Sequence, residues 1–169
     1  MPESGPPDDT RAPERPRRVL VPLDGSWVAE KALVWAETLA RSTGARLVLF
    51  RVELPVRTSV FMAPLMGQPS EAHGTASDLA EEYMVGLGSR LNEEGIQADV
   101  EVVHSGKLLE EVTRQARAEI ADAIGEAIVA RCGEDDIDLL ILASHGMTSD
   151  YTARWGSVCQ AVMSKANKP

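Results

Sequence analysis

The residues best suited to binding a ligand lie in the last third of the sequence. The segment Ala143-Ser144-His145-Gly146 follows an apolar run, and nine residues separate it from Gly156-Ser157. Glycine at position 146 lets a ligand approach the backbone or permits a positive φ. A helix beginning at Ser157 would offer phosphate its free N–H groups, the positive end of its dipole and a hydroxyl donor. The spacing alone leaves two interpretations open: a polyphosphate site, or two loop glycines beside an ordinary helix N-cap.

Asp24 is the second candidate for ligand chemistry, because it directly follows the apolar run Val19–Leu23. Asp-Gly-Ser is also a good turn and helix cap, so these three residues alone do not indicate a binding site. The position of Asp24 directly after a buried strand is what favours a role in ligand binding. The other polar residues favour neither catalysis nor a metal site made by the protein. The three histidines are widely separated, neither cysteine has partners at metal-binding spacing, and Lys107 does not complete a P-loop motif.

The elements that must position these residues follow a β-α-β pattern. Apolar runs and periodicity predict strands over 19–23, 46–52, 97–103 and 137–143, and helices over about 26–44, 78–94, 107–132 and 157–166. The first helix has Ser26 as N-cap, ends at Gly44 and buries a face that includes Trp35. Gly125 is predicted to bend or split the third helix. Residues 54–77 have no clear period and are predicted to form either a lid or a surface excursion.

This pattern predicts an open, doubly wound parallel α/β sheet of Rossmann-like type, with helices on both faces. In such sheets, ligands bind beyond the carboxyl ends of the strands, where the strand order reverses. We therefore expect a site formed by Asp24, the end of the second strand at Val52, and the segment after Ala143.

Composition narrows the class of protein. The chain has 169 residues, of which 44% are hydrophobic, and this suits one domain over residues 18–169. Residues 1–17 hold five of the ten prolines and are predicted to form a disordered tail. A net charge of −9 disfavours nucleic-acid and membrane-surface partners. Two cysteines, Cys132 and Cys159, and a polar N-terminus without a signal peptide predict a cytoplasmic protein with reduced thiols.

Three motifs occur in the order found in one known family. VPLDGS at Val21–Ser26, IDLLILASHG at Ile137–Gly146 and WGSVCQAVM at Trp155–Met163 resemble the ATP-binding branch of the universal stress protein family. The resemblance implies an adenine nucleotide α-hydrolase-like fold, a homodimer, and a regulatory role in the stress response with ATP and magnesium as ligands. It implies these site residues: Pro22, Asp24, Val52, Leu142, Ala143, Gly146, Gly156, Ser157 and Val158.

The same resemblance implies a role for each part of the site. Asp24, beside Pro22, would accept hydrogen bonds from the ribose hydroxyls. Val52 would contact the adenine edge through its backbone, and Leu142 would pack near the base. The phosphates would be held by backbone N–H groups and the Ser157 hydroxyl, with magnesium bridging them. No general base or nucleophile stands beside this loop, so we expect slow ATP hydrolysis at most.

The sequence departs from the family pattern in three places. Ala143 stands where the first glycine of the loop is expected, and its methyl group hinders close approach of a phosphate or sugar. Met147 stands where a basic or polar residue is common, so the loop relies on its backbone, His145, Arg154 or a metal ion. The fifth strand that family members use in their dimer is not found before Pro169, so strand four is expected to form an edge. These departures keep open a second interpretation, a nucleotide-free protein-interaction module of the same family.

Overall fold

In the computed structural model, which describes residues 15–53, 76–104, 114–146 and 154–169, four parallel strands form one sheet. The strands are β1 (Arg18–Pro22), β2 (Arg46–Glu53), β3 (Ala98–His104) and β4 (Leu139–Leu140). Their order across the sheet is β3-β2-β1-β4, so the direction of winding reverses at β1. The predicted doubly wound parallel sheet is confirmed, and its switch point lies between β1 and β4.

Helices cover both faces of this sheet. They are α1 (Trp27–Thr43), α2 (Ala76–Glu93), α3 (Arg114–Cys132) and α4 (Ser157–Lys165). Alternate strand residues point to opposite faces. The core on the α1 and α2 face therefore contains Val19, Val21, Leu47, Leu49, Leu33 and Met84, and the core on the α3 and α4 face contains Leu20, Val48, Phe50, Ile128 and Val162.

Helix α1 begins and ends as predicted. The Ser26 hydroxyl accepts a hydrogen bond from the Ala29 N–H at 3.2 Å, and Gly44 closes the helix with φ +76°. The buried face of the helix is built largely from alanine, including Ala29, Ala32 and Ala36, so the helix lies close to the sheet. The prediction that Trp35 belongs to that face was wrong: its side chain is 72% exposed, because at roughly 100° per residue it lies well away from the buried face centred on Ala29, Ala36 and Ala40.

Strand β4 is shorter than the predicted 137–143, and the hydrogen bonds explain why. It pairs with β1 in one-to-one register, Val19 with Leu139 and Leu20 with Leu140. Before that register begins, the Arg18 N–H donates to the Asp138 side chain instead of to a backbone carbonyl of β4. The Leu140 N–H points to the edge away from β1 and donates to the Pro169 carbonyl at 3.0 Å. Pro22, which has no N–H, then ends the pairing on this side of β1. Within the described part of the chain, β4 pairs with β1 alone, as expected for an edge strand.

Gly125 does not interrupt α3, which is continuous from Arg114 to Cys132. A Cβ at position 125 would lie 2.7 Å from the Ala161 Cβ, so glycine allows α3 and α4 to pack closely. Both cysteines are free and buried. No helix within the described ranges combines the length and the apolar character needed to cross a membrane.

Three predictions fall outside the described residues, wholly or in part. They concern most of the predicted tail, most of the 54–77 segment, and the start of the third helix at 107–113. Arg17, placed at the end of the tail by the sequence, donates its N–H to the Asp138 carboxylate at 2.7 Å.

Candidate functional site

Asp24 and Gly146 lie against each other at the carboxyl edge of the sheet. The Leu23 N–H donates to the Phe50 carbonyl at 2.9 Å, and the chain then leaves the sheet at Asp24. The Asp24 Oδ1 atom accepts from the Ser26 N–H at 2.9 Å. A Cβ on Gly146 would lie 2.8 Å from the Asp24 Oδ2 atom. The carboxylate therefore points towards the loop that follows β4, across the switch point.

The backbone of Val52 faces the same crevice. Backbone groups alternate between the two edges of a strand, and the Leu47 N–H points to the β3 side while the Phe50 carbonyl points to the β1 side. Val52 therefore directs its N–H and carbonyl to the β1 side. Strand β1 ends opposite Phe50, so Val52 lies beyond the last paired residue. Its side chain packs on the α3 and α4 face of the core, as do those of Leu142 and Val158.

The two glycine segments of the motif are tied together at the base of the loop. The Gly156 N–H donates to the Ser144 carbonyl at 2.8 Å, so this amide is engaged within the protein. Gly156 is the N-cap of α4 and provides no capping side chain. The N–H groups in the first turn of a helix have no acceptor within that helix. In α4 this turn begins with Ser157 and Val158. Ser157 is exposed at this end of the helix.

The remaining predicted site residues border this crevice. Pro22 is the last residue of β1 and stands opposite Phe50. Ala143 is half-buried and directly precedes Ser144. The His145 Nδ1 atom lies 3.1 Å from the Ser144 hydroxyl oxygen, and the Arg154 guanidinium lies 5.7 Å from the centre of the Trp155 ring.

Arg51 is a residue at this edge that the sequence motifs did not single out. Its Nη1 atom lies 3.0 Å from the position that a Cβ on Gly25 would occupy, and Gly25 has φ +79°. Its Nε atom lies 3.3 Å from the Glu53 carboxylate. The sequence contained one signal that could have drawn attention to Arg51: it is a charged residue in the otherwise apolar run Leu47–Val52, near the carboxyl end of the strand.

The side chain of Tyr83, on α2, lies close to the same region. Its hydroxyl donates to the Glu30 carboxylate at 2.8 Å. Burial, chiefly, and the Glu30 carboxylate raise the pKa of Tyr83 above its usual range, while Arg51 lowers it and Asp24 raises it. Glu30, Arg51 and Asp24 therefore all lie within electrostatic range of Tyr83. Within the described ranges, no group of three His, Cys, Asp or Glu side chains is placed to hold a metal ion.

Comparison with known proteins gives a family and a fold. The family model for the universal stress protein family matches residues 16–169. Universal stress protein MJ0577 of Methanocaldococcus jannaschii is 27% identical over 156 residues, covering 90% of this chain and 91% of that protein. The solved structure of MJ0577 superposes with a TM-score of 0.63 at 22% identity, over 90% of this chain and 92% of the other.

Two further similar structures contain a ligand. A universal stress protein in complex with cAMP has a TM-score of 0.59 at 16% identity, covering 91% of this chain and 93% of that one. The universal stress protein of Archaeoglobus fulgidus in complex with dAMP has a TM-score of 0.52 at 23% identity, covering 90% and 93%. At these identities the likeness establishes the fold.

Proposed function

This chain belongs to the universal stress protein family, and on that premise we propose that it binds an adenine nucleotide at the carboxyl edge of its sheet. The observation that carries the proposal is the placement of the Asp24 carboxylate beside Gly146, across the switch point between β1 and β4. Ligands bind at this point in doubly wound sheets. The relatives solved with cAMP and with dAMP support the adenine nucleotide class.

The described residues fit such a ligand. Asp24 would accept hydrogen bonds from the ribose hydroxyls, and the Val52 backbone, directed past the end of β1, would meet the edge of the base. Phosphate oxygens would lie at the first turn of α4, where Ser157 offers both an amide and a hydroxyl. Because Gly146 has no side chain, the Asp24 carboxylate can lie directly against the loop backbone.

Within this class we propose ATP as the ligand, with magnesium. The ion would supply charge neutralisation of the phosphates. Since the described side chains form no three-ligand metal group, phosphate oxygens would provide most of its coordination. The protein would act as a cytoplasmic regulator in the stress response, with bound nucleotide changing the order of its loops, and it would hydrolyse ATP slowly at most.

Isothermal titration calorimetry of the full chain with Mg-ATP tests the proposal. We expect saturable binding that Asp24→Ala weakens about tenfold or more, because a hydrogen bond to a charged group contributes roughly one to two powers of ten in affinity. Asp135→Ala is the matched control: this exposed carboxylate lies in the turn before β4, at the opposite edge of the sheet, and its loss should leave binding unchanged. Wild-type protein that gives no saturable signal at millimolar ATP contradicts the proposal.

A second function, a nucleotide-free interaction module, is favoured by one observation. The side chains of Trp27 and Trp35 are 66% and 72% exposed on α1, and exposed tryptophan is typical of protein-binding surfaces. The absorbance of freshly purified protein separates the two functions. Release of a molecule with the absorbance spectrum of adenine on denaturation supports nucleotide binding. Protein that is purified without nucleotide and shows no binding of Mg-ATP by calorimetry supports the interaction module.

A further inference from the structure

Arg51 lies beneath the turn that presents Asp24. The turn is left-handed at Gly25, and the guanidinium Nη1 atom lies 3.0 Å from the point where a Cβ on that residue would stand. One Cα hydrogen atom of Gly25 therefore points at the arginine. Asp24, one residue earlier, points its carboxylate away from the sheet towards Gly146. The turn thus has the arginine on one side and the ligand crevice on the other.

The guanidinium is itself held in place. Only 21% of the Arg51 side chain is exposed, and its charge faces Glu53, whose side chain is 9% exposed. The Arg51 Nε atom is buried and makes no hydrogen bond within the described residues, because its 3.3 Å approach to Glu53 lacks hydrogen-bond geometry. The ion pair with Glu53 therefore holds the guanidinium at the carboxyl end of β2, directly against the Gly25 turn.

We propose that Arg51 is a positioning residue for the nucleotide site: its guanidinium supports the Asp24–Gly25 turn and fixes the direction in which the Asp24 carboxylate meets a ribose. The effect of Arg51 on ligand binding rests on the proposed function, whereas its support of the turn does not. Asp24 is also held by the Ser26 N–H, at 2.9 Å from Oδ1. Loosening the turn would therefore weaken this bond even when no ligand is present.

The first test uses ligand-free, full-length protein. Hydrogen exchange of the Ser26 amide, followed by NMR, reports the bond to Asp24. We expect Arg51→Met to accelerate this exchange about tenfold, since local opening of the turn controls it. Arg51→Lys keeps the charge without the planar fork and should give an intermediate rate. Arg46→Met is the matched control, because Arg46 begins the same strand and pairs with Asp99 at 2.8 Å, far from the turn.

The second test compares ATP with 2′-deoxy-ATP by calorimetry. An Asp24 carboxylate held towards the ribose should favour ATP by about tenfold, and Arg51→Met should bring that ratio close to unity while Arg46→Met preserves it. A purely structural role for Arg51 would weaken both nucleotides equally and leave the ratio intact.

The two tests separate the inference from the proposed function. If Arg51→Met leaves the Ser26 exchange rate at its wild-type value, or leaves the ATP preference intact in a protein that binds both nucleotides, the inference is overturned. If wild-type protein binds neither nucleotide, the proposed function fails, while faster Ser26 exchange in Arg51→Met still establishes that Arg51 supports the turn.

Discussion

A single methyl group at position 146 decides whether the Asp24 carboxylate can keep its place. Gly146 does not have a positive φ, so alanine is compatible with its backbone. A Cβ there would nevertheless lie 2.8 Å from the Asp24 Oδ2 atom, well inside the usual contact distance of about 3.5 Å. The glycine is therefore required by the closeness of Asp24, and the positive φ considered for it from the sequence is not found.

We predict that Gly146→Ala weakens Mg-ATP binding about tenfold, because Asp24 must turn away and lose a charged hydrogen bond to the ligand. The free energy of unfolding should change by less than about 0.5 kcal/mol, since the site lies at the surface. Calorimetry and urea unfolding measure the two quantities. Gly86→Ala is the control for binding, because a Cβ there meets nothing within 4 Å. Unchanged affinity in Gly146→Ala would contradict the assignment of Asp24 to the site.

At the residue scale, the sequence could place Asp24, Gly146 and Ser157 at the switch-point edge because each follows or begins an element there. It could not identify Arg51. Which neighbour an arginine side chain meets depends on the register between β1 and β2, where Pro22 stands opposite Phe50. Nor could it show that the Gly156 N–H would donate to the Ser144 carbonyl, a tertiary contact between residues twelve apart in the sequence.

At the scale of the element, helix α2 contains two glycines whose environments are opposite. Gly86 is exposed, and an added Cβ would meet nothing within 4 Å. Gly88 is buried, and an added Cβ would lie 2.7 Å from the Val100 Cγ2 atom on β3. Substitution by alanine should therefore change the free energy of unfolding in opposite directions at these two positions. Helix propensity favours alanine at both, but packing against β3 opposes it at Gly88 only.

We expect Gly86→Ala to raise the free energy of unfolding by about 0.5–1 kcal/mol, the usual gain of alanine over glycine inside a helix. Gly88→Ala should lower it by about 1–3 kcal/mol, because overpacking outweighs that gain. Urea unfolding followed by circular dichroism measures both. Equal stabilisation by the two variants would show that α2 does not pack on β3 as closely as the structure indicates.

The elements themselves were predictable where local signals are strong, and less so where tertiary contacts decide. Helix α1 has both caps in the sequence, Ser26 and Gly44, and its bounds were predicted closely. The length of β4 depends on where its pairing with β1 stops, at the Asp138 side chain on one end and at Pro22 on the other, and no pattern within 137–143 reveals this. The exposure of Trp35 follows from where the buried face of α1 is centred, on Ala29, Ala36 and Ala40, and the spacing of apolar residues alone does not fix that centre.

For the whole molecule, the amino ends of β1 and β4 are joined by one carboxylate. Asp138 accepts from the N–H groups of Arg17 and Arg18 at 2.7 and 2.9 Å, across 121 and 120 residues of sequence. The hydrogen bond from the Arg18 N–H, and then that from Arg17, hold the pKa of Asp138 below its usual value of 3.8. A group whose pKa is lower in the folded state stabilises the fold above its unfolded pKa, and loses that contribution as the pH falls through the folded value.

Asp138→Ala should therefore reduce the free energy of unfolding by about 1 kcal/mol at neutral pH, a modest figure because the carboxylate is exposed. The difference from wild type should shrink as the pH falls below 3.8, the usual value for this group, since wild-type protein then protonates Asp138 and loses the same bonds. Urea unfolding at neutral and acidic pH measures the difference. Asp135→Ala, an exposed neighbour in the same turn, is the control and should match wild type throughout. A difference that persists undiminished into acid would mean that packing of the side chain, rather than its charge, joins the two strands.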